Sequence, residues 1–247
     1  MKRILNILKD KWPEYLLEIL VLIIGILGAF ELNNWKENNQ NRHIVQDYYC
    51  RFLADLNQDE VQVNALIDAC RVRLKKSNEM LSELLSELPD KERSTSLMLE
   101  ATARVSYPFH PISAGYDDLK SGGNLNVFTD QNIVDRLGIY YQEADGLAGN
   151  ITTNGQVALN ELFEIEDFFG IGFIDNSFLK EGIDTAIVKM DLLDRRPLLP
   201  EQIEKLKHMA TLLIAINYRN SQHYEAILTK IQTVKPMLED KCKTPAK

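Results

Sequence analysis

The side chains of this chain that could do chemistry are few, and their spacing argues against catalysis. The histidines His43, His110, His208 and His223 are scattered, with no i, i+4 pair of the kind that grips a metal on one helix face. Glu161, Glu164, Glu166 and Asp167 cluster, but an acidic helix face is ordinarily solvated. Lys120-Ser121-Gly122-Gly123 lacks the first glycine and the G-K-[ST] order of a phosphate loop, and a helix-ending glycine turn explains it better. No G-x-S-x-G or H-E-x-x-H motif is present. We therefore expect a non-enzymatic protein without metal or cofactor. The carboxylate in the least ordinary place is Glu18, at the edge of the apolar run from Ile19 to Phe30.

Glu18, Leu22, Gly25, Ala29 and Leu32 recur at steps of four and three, which is one face of a helix. Gly25 and Ala29 form a small-xxx-small pair that lets a second helix approach closely in lipid. A carboxylate facing lipid is costly when ionised. Glu18 must snorkel to the headgroups, stay protonated, or meet a partner in a helix–helix seam. A proton relay is the remaining alternative.

The element that positions this face is a membrane span with Trp12 and Trp35 as interface anchors. The two tryptophans are 23 residues apart, roughly 34 Å on a helix, close to the hydrocarbon thickness of a bilayer. A cleaved signal peptide fits less well, because Asp10, Glu14 and Glu18 interrupt its start and Leu27 stands where a small residue is needed before Ala29. A buried core helix is the other rival, and the flanking tryptophans weigh against it. We divide the chain into a cytoplasmic tail (1–14), a transmembrane helix (15–35), a polar stalk (36–44) and an extramembrane domain (45–247). Lys2, Arg3, Lys9 and Lys11 precede the span, whereas the fifteen residues after it carry only Lys36 and Arg42. That bias puts the N-terminus inside and the large domain outside the cytoplasm.

Apart from Trp35, the chain from Asn33 to Arg42 is polar all round and lacks Pro and Gly, so we expect a solvated stalk or a helix that frays there. A helical stripe then runs through Val45, Tyr48, Phe52, Leu56, Val63, Leu66, Cys70, Leu74, Leu81, Leu84 and Leu88, ended by Pro89-Asp90. Ser94 to Val105 reads as a short helix. Ser113 is placed to cap another through Tyr116 and Leu119, stopped by Gly122-Gly123. A helix opening at Thr129-Asp130 presents Ile133, Leu137, Tyr140 and Tyr141 inward and runs towards Phe169, with Gly146, Gly149 and Gly155 as weak points. Gly170 to Gly182 reads as a loop and Thr185 to Leu193 as a short helix. Pro200 starts a last helix to about Lys241, with Ile203, Leu206, Ala210, Leu213, Asn217 and Tyr224 in phase. No stretch alternates as a strand would. The fold class is all-α: an N-terminal transmembrane helix continues through the stalk into a helix of an extramembrane bundle.

A net charge of −8 leaves no basic face for nucleic acid. Three cysteines give no disulfide framework. Cys50 and Cys70 lie about 30 Å apart on one helix and cannot bridge. An antiparallel return of the last helix would bring Cys242 near Cys50, but buried free thiols are the reading we favour.

Two blocks resemble a known family. Leu17-Glu18-Ile19-Leu20-Val21-Leu22-Ile23-Ile24-Gly25-Ile26-Leu27-Gly28-Ala29 with Asn33-Asn34-Trp35 resembles the opening G-E-I-x-L-V-x-I-G-I-L-x-A-L-x-I-N-N-W of an uncharacterised family of single-pass membrane proteins from Bacteroidota. Tyr116-Asp117-Asp118-Leu119-Lys120-Ser121-Gly122-Gly123-Asn124-Leu125, followed by Tyr140-Tyr141, resembles that family's Y-x-E-L-x-S-S-G-x-L block and its later tyrosine pair. Departures are Leu17 for Gly, Glu31 for Gln, Asp118 for Glu and Gly122 for Ser. The resemblance covers roughly residues 15 to 145 and implies an uncleaved span and a helical outer domain; it implies no activity. The second block is either architecture or a partner surface around Tyr116, Lys120 and Ser121.

The expectation is an accessory or scaffold protein held in the lipid bilayer, associating with itself or another membrane protein. A periplasmic ligand sensor signalling through a partner is one alternative. A homo-oligomeric ion or proton pathway using Glu18 is another.

Overall fold

The computed structural model describes residues 12–128, 130–165, 184, 186–187 and 196–243. The tail before Trp12, the loop at 170–182 and the helix expected at 185–193 fall essentially outside the described residues. Five α-helices and one 3-10 turn, with no strand among the described residues, make an all-α protein. They are α1 (Trp12–Leu84), α2 (Lys91–Thr102), α3 (Ala114–Ser121), α4 (Gln131–Glu164) and α5 (Pro200–Lys243); the 3-10 turn is Asn124–Val127.

The helix α1 is unbroken for 73 residues, about 110 Å at 1.5 Å per residue. The stalk neither frays nor bends away from helix. Its asparagines are poor helix formers, but both neighbours are already helical, so extending through them avoids the cost of a new nucleus. The helix α1 from Leu16 onward is long and apolar enough to cross a membrane, and its most apolar stretch is entirely uncovered by the rest of the chain. That uncovered state separates it from a core helix.

From Tyr48 onward one side of α1 is buried, through Phe52, Leu56, Asp59, Val63, Ile67, Cys70, Arg73, Ser77, Met80 and Leu84. Leu66, Leu74 and Leu81 flank this face and are only half-buried. Leu88 is 89% exposed, because α1 ends at Leu84 and the helical period no longer applies. Pro89 keeps Leu88 out of the helical region. Glu83 then ties the turn, accepting from the Asp90 amide at 3.0 Å and pairing with Arg93 at 3.1 Å. The next helix starts at Lys91, earlier than the expected Ser94, because the Asp90 carboxylate accepts from the Arg93 amide as an N-cap.

The four long legs run alternately away from and towards the apolar N-terminal part of α1, as in an up-down-up-down bundle. Contacts Arg73–Asn217, Glu60–Lys235 and Cys50–Cys242 make α5 antiparallel to α1. Contacts Glu143–Lys230 and Asn154–Asn220 make it antiparallel to α4. The remaining leg is split: α2 descends beside the far end of α1, and α3 continues the descent beside residues 51–59. Between them the chain carries Pro108, Pro111 and Arg104, whose φ of 55° is left-handed. This connection rests on α4 at Gly155, where a Cβ would stand 2.3 Å from the Ser106 Cα. The glycines expected as weak points do not interrupt α4, which runs to Glu164.

Two apolar clusters fill the bundle. One, nearer the apolar N-terminal part of α1, is built on Phe52, Leu56, Phe109, Leu119, Ile133, Leu137, Tyr140 and Ile231. The far one is built on Met80, Leu84, Met98, Leu162, Leu206 and Leu213. A polar layer separates them.

Candidate functional site

The residues expected as an association face lie along α1. Glu18, Leu22, Gly25, Ala29 and Leu32 share one side of α1 and all are exposed; a Cβ built on Gly25 would meet nothing within 4 Å. Trp12 and Trp35 are also exposed, at 61% and 69%, on either side of the apolar run.

Because α1 is continuous, angles can be carried along it at 3.6 residues per turn. Phe52 and Cys70 follow Gly25 by 27 and 45 residues, about seven and a half and twelve and a half turns. Both are buried in the bundle core. The core-facing side of α1 is thus diametrically opposite its Gly25/Ala29 face. Val61, about ten turns from Gly25, shares that face's angle and is 72% exposed; Val72 lies close to it and is 58% exposed.

Of the three residues expected as a partner surface, Tyr116 and Lys120 lie together. In α3, Tyr116 is half-buried and its ring stacks on Tyr141 at 4.8 Å, with the Lys120 ammonium 5.3 Å from the Tyr116 ring centre. Ser121 does not join them, since its hydroxyl donates to the Asp117 carbonyl of its own helix at 2.8 Å. Ser113 occupies the N-cap position, yet its hydroxyl donates to Asp117 Oδ2 at 2.6 Å rather than receiving a backbone amide. Gly123, at φ 70°, provides the left-handed turn after α3.

Beneath α3 lies a carboxylate cluster that reading the sequence missed. Asp59 is fully buried and accepts from the Tyr140 hydroxyl at 2.7 Å and the Ile112 amide at 3.1 Å. Burial pushes its carboxyl above the usual aspartate range, while the two donors and the nearby Asp55 pull in opposite directions. Asp55, one turn earlier, is also raised by burial, against the opposing pull of the Gly115 backbone and Arg51; its buried Oδ2 has no hydrogen-bond partner. Tyr140 is driven up by burial and by its bond to Asp59. Tyr141 donates to the Ile112 carbonyl at 3.1 Å. The signal for Asp59 was its position on the apolar stripe between Leu56 and Val63.

The polar layer was missed for the same reason. Arg73 is buried and donates to Asn217 Oδ1 at 2.8 Å, to Cys70 Sγ at 3.0 Å and to the Ala103 carbonyl at 3.4 Å. Asn217 donates in turn to the Ala101 carbonyl at 3.2 Å. The guanidinium and the amide therefore close the C-terminus of α2, whose negative dipole end opposes the buried positive charge.

Cys50 and Cys242, expected as buried free thiols, are joined in a disulfide with Cα atoms 5.0 Å apart, and neither is fully buried. Two residues separated by 192 positions become neighbours only through the antiparallel return of α5, which local spacing does not encode. Cys70 is free and buried, as expected.

Fold and site together define a helical-bundle protein whose N-terminal helix is long and apolar enough to cross a membrane. The chain belongs to a family of unknown function, DUF6090, whose pattern matches residues 18–144, just over half its length. That stretch begins at Glu18 and ends just beyond Tyr140 and Tyr141, so it takes in the apolar run of α1 from Ile19, the buried side of α1 and the α3 block. Comparison with curated proteins and with solved structures finds no match.

Proposed function

We propose that this is a non-enzymatic, membrane-anchored accessory or scaffold protein that works by association through the outward face of α1. The span crosses the bilayer once and the bundle stands outside the cytoplasm. One observation carries the reading: the Gly25/Ala29 face points directly away from the bundle, so a partner helix can close on it without meeting α2 to α5. The outward face also stays uncharged from Asn57 to Ala65 except for Asp59 and Glu60, which turn towards the bundle side. The Cys50–Cys242 disulfide supports an outward domain, since such bonds persist in oxidising compartments and are rare in the bacterial cytoplasm. The basic residues ahead of the span agree with that orientation.

Cysteine cross-linking along the stalk, in native membranes, tests the association. Cys50 and Cys242 are already bonded and Cys70 is buried, leaving an introduced thiol as the reactive one. Self-association through the Gly25 face requires cross-links to peak at K36C, N39C and H43C and to fall at N34C, N38C and N41C, which lie on the opposite side of α1. Cross-links of the same phase to a stoichiometric second membrane protein would assign an accessory subunit. Cross-links without helical phase would refute association through this face. Replacing Glu18 with Gln separates its roles: a simple anchor is spared, a hydrogen-bonded seam is weakened modestly, and proton conduction is abolished.

A further inference from the structure

Three contacts converge on the last turns of α5 at the base of the bundle. Gln46 Nε2 donates to the Lys241 and Cys242 carbonyls at 2.9 and 2.7 Å, supplying partners for the orphan carbonyls of a helix end. Lys241 pairs with Asp130, the N-cap residue of α4, at 3.1 Å. Cys242 is bonded to Cys50. Just before this segment, Pro236 sits inside α5 on its exposed side. A proline there has no amide to donate to the carbonyl four residues back, so the helix ladder is interrupted between Gln232 and the segment that follows. Beyond Pro236 the only fully buried side chain of α5 is Leu238.

We infer that residues 237–243 form a hinged terminal clasp, hinged at Pro236 and latched to α1 by the Cys50–Cys242 disulfide, which a dithiol reductant can open. In the opening step the two thiols of the dithiol are oxidised to a disulfide. Cys50 and Cys242 together take up two electrons and two protons and become free thiols. Both sulfurs belong to half-exposed residues at the foot of the bundle, within reach of a reductant. Cys70, about 30 Å along α1 from Cys50 and buried, does not exchange with them. Release of the clasp frees the Asp130 end of α4 and the Gln46 turn of α1, directly above the stalk. The relevance of this switch to the cell rests on the outward placement proposed above.

Amide hydrogen exchange on the full-length protein in detergent, with and without a dithiol, tests the clasp. Reduction is expected to lower protection of the amides at 237–243 by at least about tenfold while those of α1 from Val63 to Arg73 are unchanged. The C50S/C242S variant should reproduce the reduced pattern without reductant. P236A, which restores the missing donor, should shrink the local loss. Equal loss of protection throughout the bundle would overturn the proposal by making the disulfide a staple of the whole fold. Unchanged protection at 237–243 would overturn it too. Labelling of S86C in intact cells with a membrane-impermeant thiol reagent reads the placement separately: no labelling until the cells are lysed would refute the outward domain and leave the exchange result standing.

Discussion

Three glycines on α4 provide a sharp test of the packing. Replacing glycine by alanine inside a helix restricts the unfolded chain and favours the helix by about 0.5–1 kcal/mol. At Gly146 and Gly149 an added Cβ meets nothing within 4 Å, so that gain should appear undiminished. At Gly155 the Cβ would stand 2.3 Å from the Ser106 Cα, 2.5 Å from its Cβ and 2.8 Å from its amide nitrogen. Backbone cannot swing aside as a side-chain tip can, so the 103–113 connection must retreat by more than about 1 Å, with overpacking costing about 3 kcal/mol. Subtracting the helix gain leaves a loss of about 2 kcal/mol. For a domain of this size that is a fall of roughly 4–8 °C in Tm, against a rise of roughly 1–4 °C for G146A and for G149A. Thermal unfolding of the full chain in detergent, followed by circular dichroism, measures all three. A G155A protein as stable as the parent, or a destabilised G146A, would refute the close approach of Ser106 to α4.

The buried carboxylates predict a contrast. The folded pKa of Asp55 is raised, so the folded state holds its proton more tightly than the unfolded one. Stability from this group rises as pH falls from neutral through that raised value, and levels off below about 3.9, the unfolded aspartate pKa. D55N should raise Tm at neutral pH and flatten that slope, as a pH series of melts would record; a steeper slope would count against it. D59N should instead destabilise by about 1–3 kcal/mol, because its new amide group confronts the donors of Tyr140 or Ile112. R73M should cost about 1–3 kcal/mol by stranding Asn217 Oδ1 and the Ala103 carbonyl. A double-mutant cycle with N217L should show coupling of at least about 0.5 kcal/mol in chemical denaturation; strict additivity would deny the shared layer.

Where apolar residues keep a 3.6-residue period, the sequence was sufficient. The helix over Ile19 to Phe30 and the inward face of α4 at Ile133, Leu137, Tyr140 and Tyr141 form as the sequence implies, and the core side of α1 does so at Tyr48, Phe52, Leu56, Val63, Cys70 and Leu84 but not at Leu66, Leu74 or Leu81. The continuity of the stalk was legible in its lack of Pro and Gly, but whether it frays was not, because its composition alone disfavours helix and its helical flanks decide the matter. Asp59 and Arg73 stand on an apolar stripe, where a charged residue reads equally as an interruption or as a buried partner. Their partners Tyr140 and Asn217 are 81 and 144 residues away. Cys242 was equally out of sight of Cys50 until α5 returned along α1.

A one-piece α1 makes the far end of the bundle answer to the bilayer. Leu84 lies 49 residues beyond Trp35, about 74 Å along the axis. With the span in a membrane, as proposed, a thinner hydrocarbon layer is matched by tilting the helix. A tilt change of about 10° then sweeps Leu84 sideways by roughly 13 Å, with no joint in the stalk to absorb it. Lipid thickness would thereby be converted into lateral reach, and the protein would register the fabric of its own membrane as a change in where its distal tip can touch.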